Sequence, residues 1–268
     1  MSVAHKLDTT SAAEQILRKA HVRLMRHRKT YLYSGVLLLG TSTVNNRKAS
    51  TACTDGINKY YNSDFLIEQV KTLAKISGVV LHEALHVFLK QIPRHMDLWE
   101  KDPRVTNAAA DYVVNAIIKA IEDEDRAAIA ANKSKEDPVV ILPDGALYDE
   151  KFINWSMRQV YNYLKKEDKQ DEPEQEGNEP EQGEPGDMPE QGQDDGGGSK
   201  PDKQDKPGAP DERTSVTVDG KEYSLETLDE HDTSGVNDMG DDEIKEMIEQ
   251  IDQGIQEAGL LAGLSGMK

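Results

Sequence analysis

The chain has little with which to cross-link itself or to cross a membrane. One cysteine, Cys53, in 268 residues excludes a disulfide framework within the chain. No apolar run approaches the roughly 20 residues needed to span a bilayer. Residues 1–10 are polar and lack the apolar core of a signal peptide. These absences point to a cytoplasmic protein with no membrane partner. Aromatic residues make up 5% of the chain and hydrophobic residues 36%, which is thin for a single compact core of this length. Net positive charge is also lacking: the formal charge is −18, which gives little support to a nucleic-acid partner.

That charge is unevenly placed. Residues 1–166 hold 24 Lys and Arg against 19 Asp and Glu, a net of +5. Residues 167–212 hold 17 acids against 4 Lys, a net of −13, and 7 of the 11 prolines. Their only apolar side chains are Met188 and Ala209, too few to offset the entropy of ordering the chain. Residues 213–268 hold 14 acids against 4 bases, a net of −10. The pattern predicts a folded domain over 1–166, a disordered acidic linker over 167–213 and an acidic helical tail over 214–268. The fold class expected is α+β, mainly helical with a small sheet.

Local signals fill in the elements. Ala13, Ile16, Leu17, Ala20 and Leu24 recur at helical spacing, so 11–28 reads as an amphipathic helix. The run from Tyr31 to Leu39 reads as a strand. Ser50–Cys53 and Ile57–Tyr61 flank Thr54-Asp55-Gly56 and read as a hairpin. Ser63 or Asp64 is expected to cap a helix to about Lys75, and a second helix runs from Ile76 to about Gln91, where Pro93 ends it. Asp102-Pro103 opens a helix to about Glu122. Residues 154–166 form another. In the tail, Val216–Ser224 reads as a hairpin around Asp219-Gly220. Asp241–Leu261 reads as an acidic helix whose apolar stripe (Ile244, Met247, Ile248, Ile251, Ile255) would dock on the domain or on a partner protein.

The chemistry lies in His82-Glu83-Ala84-Leu85-His86. Helical residues four apart share one side, so His82 and His86 can aim two imidazoles at one ion. Zinc suits imidazole nitrogen. Glu83 flanks that ion and is placed to take a proton from a water that the metal has made acidic. The surrounding helix is apolar on every side, and burying two His and a Glu there is costly unless something satisfies them. The bland alternative is a pair of neutral, hydrogen-bonded core histidines.

A third ligand is required. Leu89 and Ile92 stand where a metzincin extension needs Gly and His, which excludes that class. His95 is a lesser candidate. Glu100 and Asp102 lie in a polar stretch with no reason for burial. Asn107, Asp111 and Asn115 instead form a polar stripe at four-residue spacing on an otherwise small, apolar helix. Asp111 as ligand with two flanking amides would explain that stripe; a helix with one solvated edge is the alternative.

Four stretches together resemble a known family, the putative metallopeptidase domain of unknown function found N-terminal to VWA-like domains in bacterial and phage proteins. They are Thr54-Asp55-Gly56 with Tyr60-Tyr61-Asn62, the His82–His86 motif, Ala109-Ala110-Asp111 with Val114-Asn115, and Leu142-Pro143-Asp144-Gly145. The resemblance covers about residues 10–165. It implies a zincin-like fold and favours Asp111 as third ligand. It also implies a strand near 50–61 at the rim of a cleft that holds an extended peptide. The metal-binding Asp-x-Ser-x-Ser loop of a VWA-like domain is not found in the sequence, so the resemblance implies a short form or a piece of a longer chain.

The expected function is therefore a zinc-dependent metallopeptidase acting on a peptide or protein, with His82, His86 and Asp111 as ligands and Glu83 as general base. The alternative is a non-catalytic, metal-stabilised binding or regulatory module acting through a partner. A fourth protein ligand would favour the alternative, because structural zinc sites are closed. The opposite charges of 167–212 and 1–166 also raise the idea of an acidic strap over the cleft, although charged linkers usually just extend.

Overall fold

In the computed structural model, residues 3–133, 135–166 and 214–264 are described. The expected linker, 167–213, lies outside the described residues. The structure is mainly helical with two small sheets, an α+β arrangement. Among the described residues no helix is long and apolar enough to cross a membrane.

Helix α1 (Val3–Arg26) buries Ala13, Leu17, Ala20 and Leu24, the face that the spacing marks. The expected strand over Tyr31–Leu39 is instead a 3-10 turn (Tyr31–Tyr33) followed by the short helix α2 (Ser34–Leu38). A short apolar run does not distinguish strand from buried helix by pattern alone. Here the decision is tertiary. Thr30 turns the chain by donating its hydroxyl to Leu24 O at 2.6 Å, and Gly35 lies directly under a helix from the far end of the chain.

Three strands follow. β2 (Ala52–Thr54) and β3 (Lys59–Tyr61) form the expected hairpin, with Ala52 opposite Tyr61. Its turn is held by Asp55, whose Oδ1 accepts from the main-chain nitrogens of Ile57 (3.2 Å) and Asn58 (2.8 Å). β1 (Ser42–Val44), which the pattern did not suggest, pairs parallel to β3 and leaves β2 at the opposite edge.

The expected helix to Lys75 is broken. Asn62, rather than Ser63 or Asp64, accepts from the next free main-chain nitrogens, those of Asp64 and Phe65. Phe65–Val70 is a wide π-type turn, and Lys71 takes a left-handed conformation (φ 67°). Thr72 then caps α3 (Leu73–Phe88) by accepting from Lys75 N. This helix starts earlier and stops earlier than expected. Lys90, at φ 55°, ends it before Pro93 is reached, and Pro93 lies inside the short α4 (Gln91–Arg94). α3 packs against α1, α2 and β2, which is why it is apolar on every side. Each fully buried Leu, Ile or Val contributes about 1.5–3 kcal/mol.

α5 (Met96–Lys101) leads to α6 (Pro103–Ala131), whose N-cap is Asp102, accepting from Val105 N at 3.1 Å. α6 continues nine residues past the expected end at Glu122. α7 (Met157–Leu164) begins at a reciprocal Ser156–Gln159 capping box.

The C-terminal residues join this core. β4 (Ser215–Val218) and β5 (Lys221–Ser224) turn at Asp219-Gly220, both at positive φ, as the sequence suggests. Val216, Val218, Tyr223 and Leu225 belong to the same buried cluster as α3 and α6. After α8 (Ser234–Asn237), α9 (Asp241–Leu264) lays Met247 and Ile251 onto the core and crosses α2 at Gly35. Its apolar stripe thus finds a partner within the chain.

Candidate metal centre

α3 carries His82, Glu83 and His86, and α6 carries Asp111 on the facing side. The Nε2 atoms of His82 and His86 lie 2.9 Å apart. Asp111 Oδ1 is 3.5 Å from the first and 3.6 Å from the second. The structure thus brings His82, His86 and Asp111 to one point. It adds a fourth group: Asp229 Oδ2 is 3.4 Å from His82 Nε2 and 3.9 Å from His86 Nε2. The four donor atoms all lie within 4.8 Å of one another.

The outer nitrogens decide what this means. His82 Nδ1 is 2.9 Å from Asn115 Oδ1, while the Asn115 amide donates its other end to Leu147 O. His86 Nδ1 faces Gln91 Oε1, and Gln91 Nε2 donates to Ala110 O. With both amides oriented this way, each imidazole carries its proton on Nδ1. The two Nε2 atoms then face each other beside two carboxylates, a spot that calls for a proton on His82 or a cation. Asp111 Oδ1 and both Asp229 oxygens are buried without a hydrogen-bond donor. Such a set of acceptors fits a cation of zinc's preferences, with the tautomers fixed from behind.

The electrostatics agree. Burial pushes His82 down, but the charges of Asp111 and Asp229 outweigh it and hold the ring well above its usual range. Burial, then the charge of Asp229, holds the Asp111 carboxyl well above the usual carboxylate range. Burial raises Asp229 too, yet His231 and His82 together bring it below its ordinary value. His86 is held well below the usual imidazole range by burial and by its His231 and His82 neighbours. The cluster is a place for positive charge, supplied by a proton on His82 or by a cation.

Glu83 is fully buried, and neither of its carboxylate oxygens has a partner. Burial and then the charge of Asp229 raise its proton affinity well above a surface glutamate's. It lines a small cavity with His82, Asp111, Ala52, Phe65 and Leu228. About 20 Å³ there is open to a water molecule's centre, enough for about one water.

Two functional candidates escaped the sequence reading. Asp229 and His231 lie on the irregular segment between β5 and α8, and His231 Nε2 is 3.2 Å from Asp229 Oδ2. Both ring nitrogens of His231 are buried without hydrogen-bond partners. Among residues after position 95, His231 is the sole histidine, and it stands in Asp229-Glu230-His231-Asp232. That was the available signal. Of the other candidates, Asp102 is buried after all, but as the cap of α6 and within 3.1 Å of Lys165 Nζ. His95 lies outside the cluster.

A family described as a putative metallopeptidase domain matches residues 13–265, and the chain belongs to it. The match takes in the C-terminal segment that carries Asp229 and His231. No match was found among curated proteins or among solved structures. Family and cluster together support metal-dependent hydrolase chemistry.

Proposed function

We propose that the chain is a zinc-dependent peptidase in which His82, His86 and Asp111 hold the ion and Glu83 is the general base. The observation that carries this reading is Glu83 itself. A carboxylate with two unpartnered oxygens, buried in a water-sized cavity next to the histidine pair, costs stability. A purely structural metal site has no use for it.

When bound, zinc would acidify a water and polarise a carbonyl oxygen. Asn115 and Gln91 keep the Nε2 lone pairs of His82 and His86 turned inward. Asp111 supplies the charge that neutral imidazoles cannot. Glu83 accepts a proton from a water in its cavity and returns it to the leaving amine. Burial makes its carboxylate a stronger proton acceptor than a surface glutamate. The substrate would be a peptide or protein lying along the β2 edge.

Asp229 favours a second reading. A fourth protein ligand closes the site, as in metal-stabilised modules that do not catalyse. Glu83→Gln separates the two. On the peptidase reading it abolishes hydrolysis of a peptide library by the metal-loaded chain while elemental analysis still finds one metal. Full activity in that variant would exclude Glu83 as base. Elemental analysis of His82→Ala and Asp111→Ala, each expected to lose metal, tests the ligand set.

A further inference from the structure

We propose that residues 224–232 are a displaceable plug: the chain's own stand-in for an extended polypeptide, held in the cleft with Asp229 in the position that water or substrate must take. The proposal rests on the peptidase reading for the meaning of the cleft, but its observations are separate.

The segment has neither helix nor strand over 225–232. It runs between β2 and α6. Three side chains of the core grip its main-chain carbonyls. Tyr112 Oη donates to Ser224 O at 3.2 Å, Thr51 Oγ1 to Leu228 O, and Asn107 Nδ2 to Asp229 O at 2.8 Å. Asp232 N donates to Thr54 O on the β2 edge at 3.2 Å. These contacts hold a polypeptide by its backbone, whatever its sequence, as a groove for extended peptides does.

Side-chain contacts add preference: Asn107 Nδ2 also donates to Thr227 Oγ1 at 2.7 Å, and the His231 ring packs edge-on against His86 with centroids 4.1 Å apart. Leu228 reaches into the cavity beside Phe65 and Glu83. Lys48 Nζ lies 3.1 Å from Asp232 Oδ2. The occupant that fits is thus an extended segment with an apolar residue, then a carboxylate at the metal position, then a second acid three residues on. Asp229 is held at the centre without any hydrogen-bond donor of its own. No hydrogen bond commits its carboxylate to the core, so it can be exchanged for another oxygen ligand.

With the plug in place the space beside Glu83 admits about one water and no peptide. Any hydrolysis must therefore follow withdrawal of 224–232, and the affinity for a competing ligand is reduced by the fraction of molecules in the open state.

The test uses the full chain loaded with zinc or cobalt and acetohydroxamate as a small metal-chelating probe, followed by calorimetry and, with cobalt, by visible absorption. Asp229→Ala removes the plugging ligand. Asn107→Ala loosens the segment without changing any of the four donor side chains. The expected result is an affinity at least about tenfold higher than wild type in both variants, with a changed cobalt spectrum and Asn107→Ala still holding one metal. Equal affinity in wild type and both variants would overturn the proposal. So would loss of the metal from Asp229→Ala together with wild-type affinity in Asn107→Ala, because Asp229 would then be a permanent ligand. Tighter hydroxamate binding without peptide hydrolysis in Asp229→Ala would support the plug and sink the peptidase reading.

Discussion

Asn115 holds His82 from behind: its side-chain oxygen lies 2.9 Å from Nδ1, and its amide nitrogen is spent on Leu147 O at 2.9 Å. The amide therefore cannot flip without losing both bonds. It fixes the ring so that Nε2 faces Asp111 and Asp229. Asn115→Ala should lower metal affinity by about 10–100-fold. Competition with a chromogenic chelator measures this; unchanged affinity would mean that packing alone orients the ring.

Metal removal should loosen the C-terminal segment as well as the site. A ligand bound by the native state at 100 times its dissociation constant adds about 2.7 kcal/mol of stability. Asp229 is the one member of the four-residue cluster that lies beyond residue 213. Chelation is thus expected to lower the melting temperature and to speed amide exchange in 224–232 more than in α3. Equal change in both regions would show that the ion does not tie the segment down.

Two buried groups on the small sheet set opposite pH trends. Burial lowers the Lys59 ammonium from 10.5 to about 8, although its Nζ donates to Val36 O and Leu39 O. Between about 8 and 10.5 the unfolded chain holds more protons at this site, so stability from Lys59 rises with pH across that window. Burial raises the Cys53 thiol from 9.0 to about 12, with Glu83 adding to it. There the folded chain keeps the proton, so stability falls as pH climbs from 9 to 12. From pH 7.5 to pH 10 the urea midpoint of wild type should rise relative to that of Lys59→Met, which lacks the buried ammonium. Cys53→Ala should hold up better than wild type above pH 9. A Lys59→Met difference independent of pH would exclude the buried ammonium as its cause.

The crossing of α2 and α9 is asymmetric. A Cβ on Gly35 would fall 2.0 Å from Gly254 O, whereas one on Gly254 would sit 3.6 Å from Gly35 O, in ordinary contact. Gly35→Ala should destabilise the chain by about 1–3 kcal/mol through overpacking. Gly254→Ala lies inside a helix and should gain up to about 1 kcal/mol. Thermal denaturation of the two variants, moving in opposite directions, checks the helix crossing; equal losses would argue against it.

Much of the centre was legible because helix geometry is local. His82 and His86 share a face by spacing alone, and Asn107, Asp111 and Asn115 form a stripe that the structure uses in full. Asn107 grips the 224–232 segment, Asp111 enters the cluster, and Asn115 orients His82. Asp229 and His231 were not legible. No periodicity marks an irregular segment, and their acidic surroundings resemble any solvated tail.

Local sequence signals alone determined the hairpins at Asp55-Gly56 and Asp219-Gly220, the start of α6 at Asp102-Pro103 and the apolar helix bearing the histidines. Each depends on side chains bonding to, or restricting, their own neighbourhood. Tertiary structure decided the rest. Tyr31–Leu39 became helical beneath α9, where Gly35 admits a close crossing. The helix expected after Ser63 gave way at Lys71, so that α3 could begin anew at Thr72. The fourth donor group, the Asp229 carboxylate, came from a residue more than 140 positions beyond His86. Burial and long-range charge have no period in the sequence: they arise only when distant segments meet, and here they meet at the metal centre.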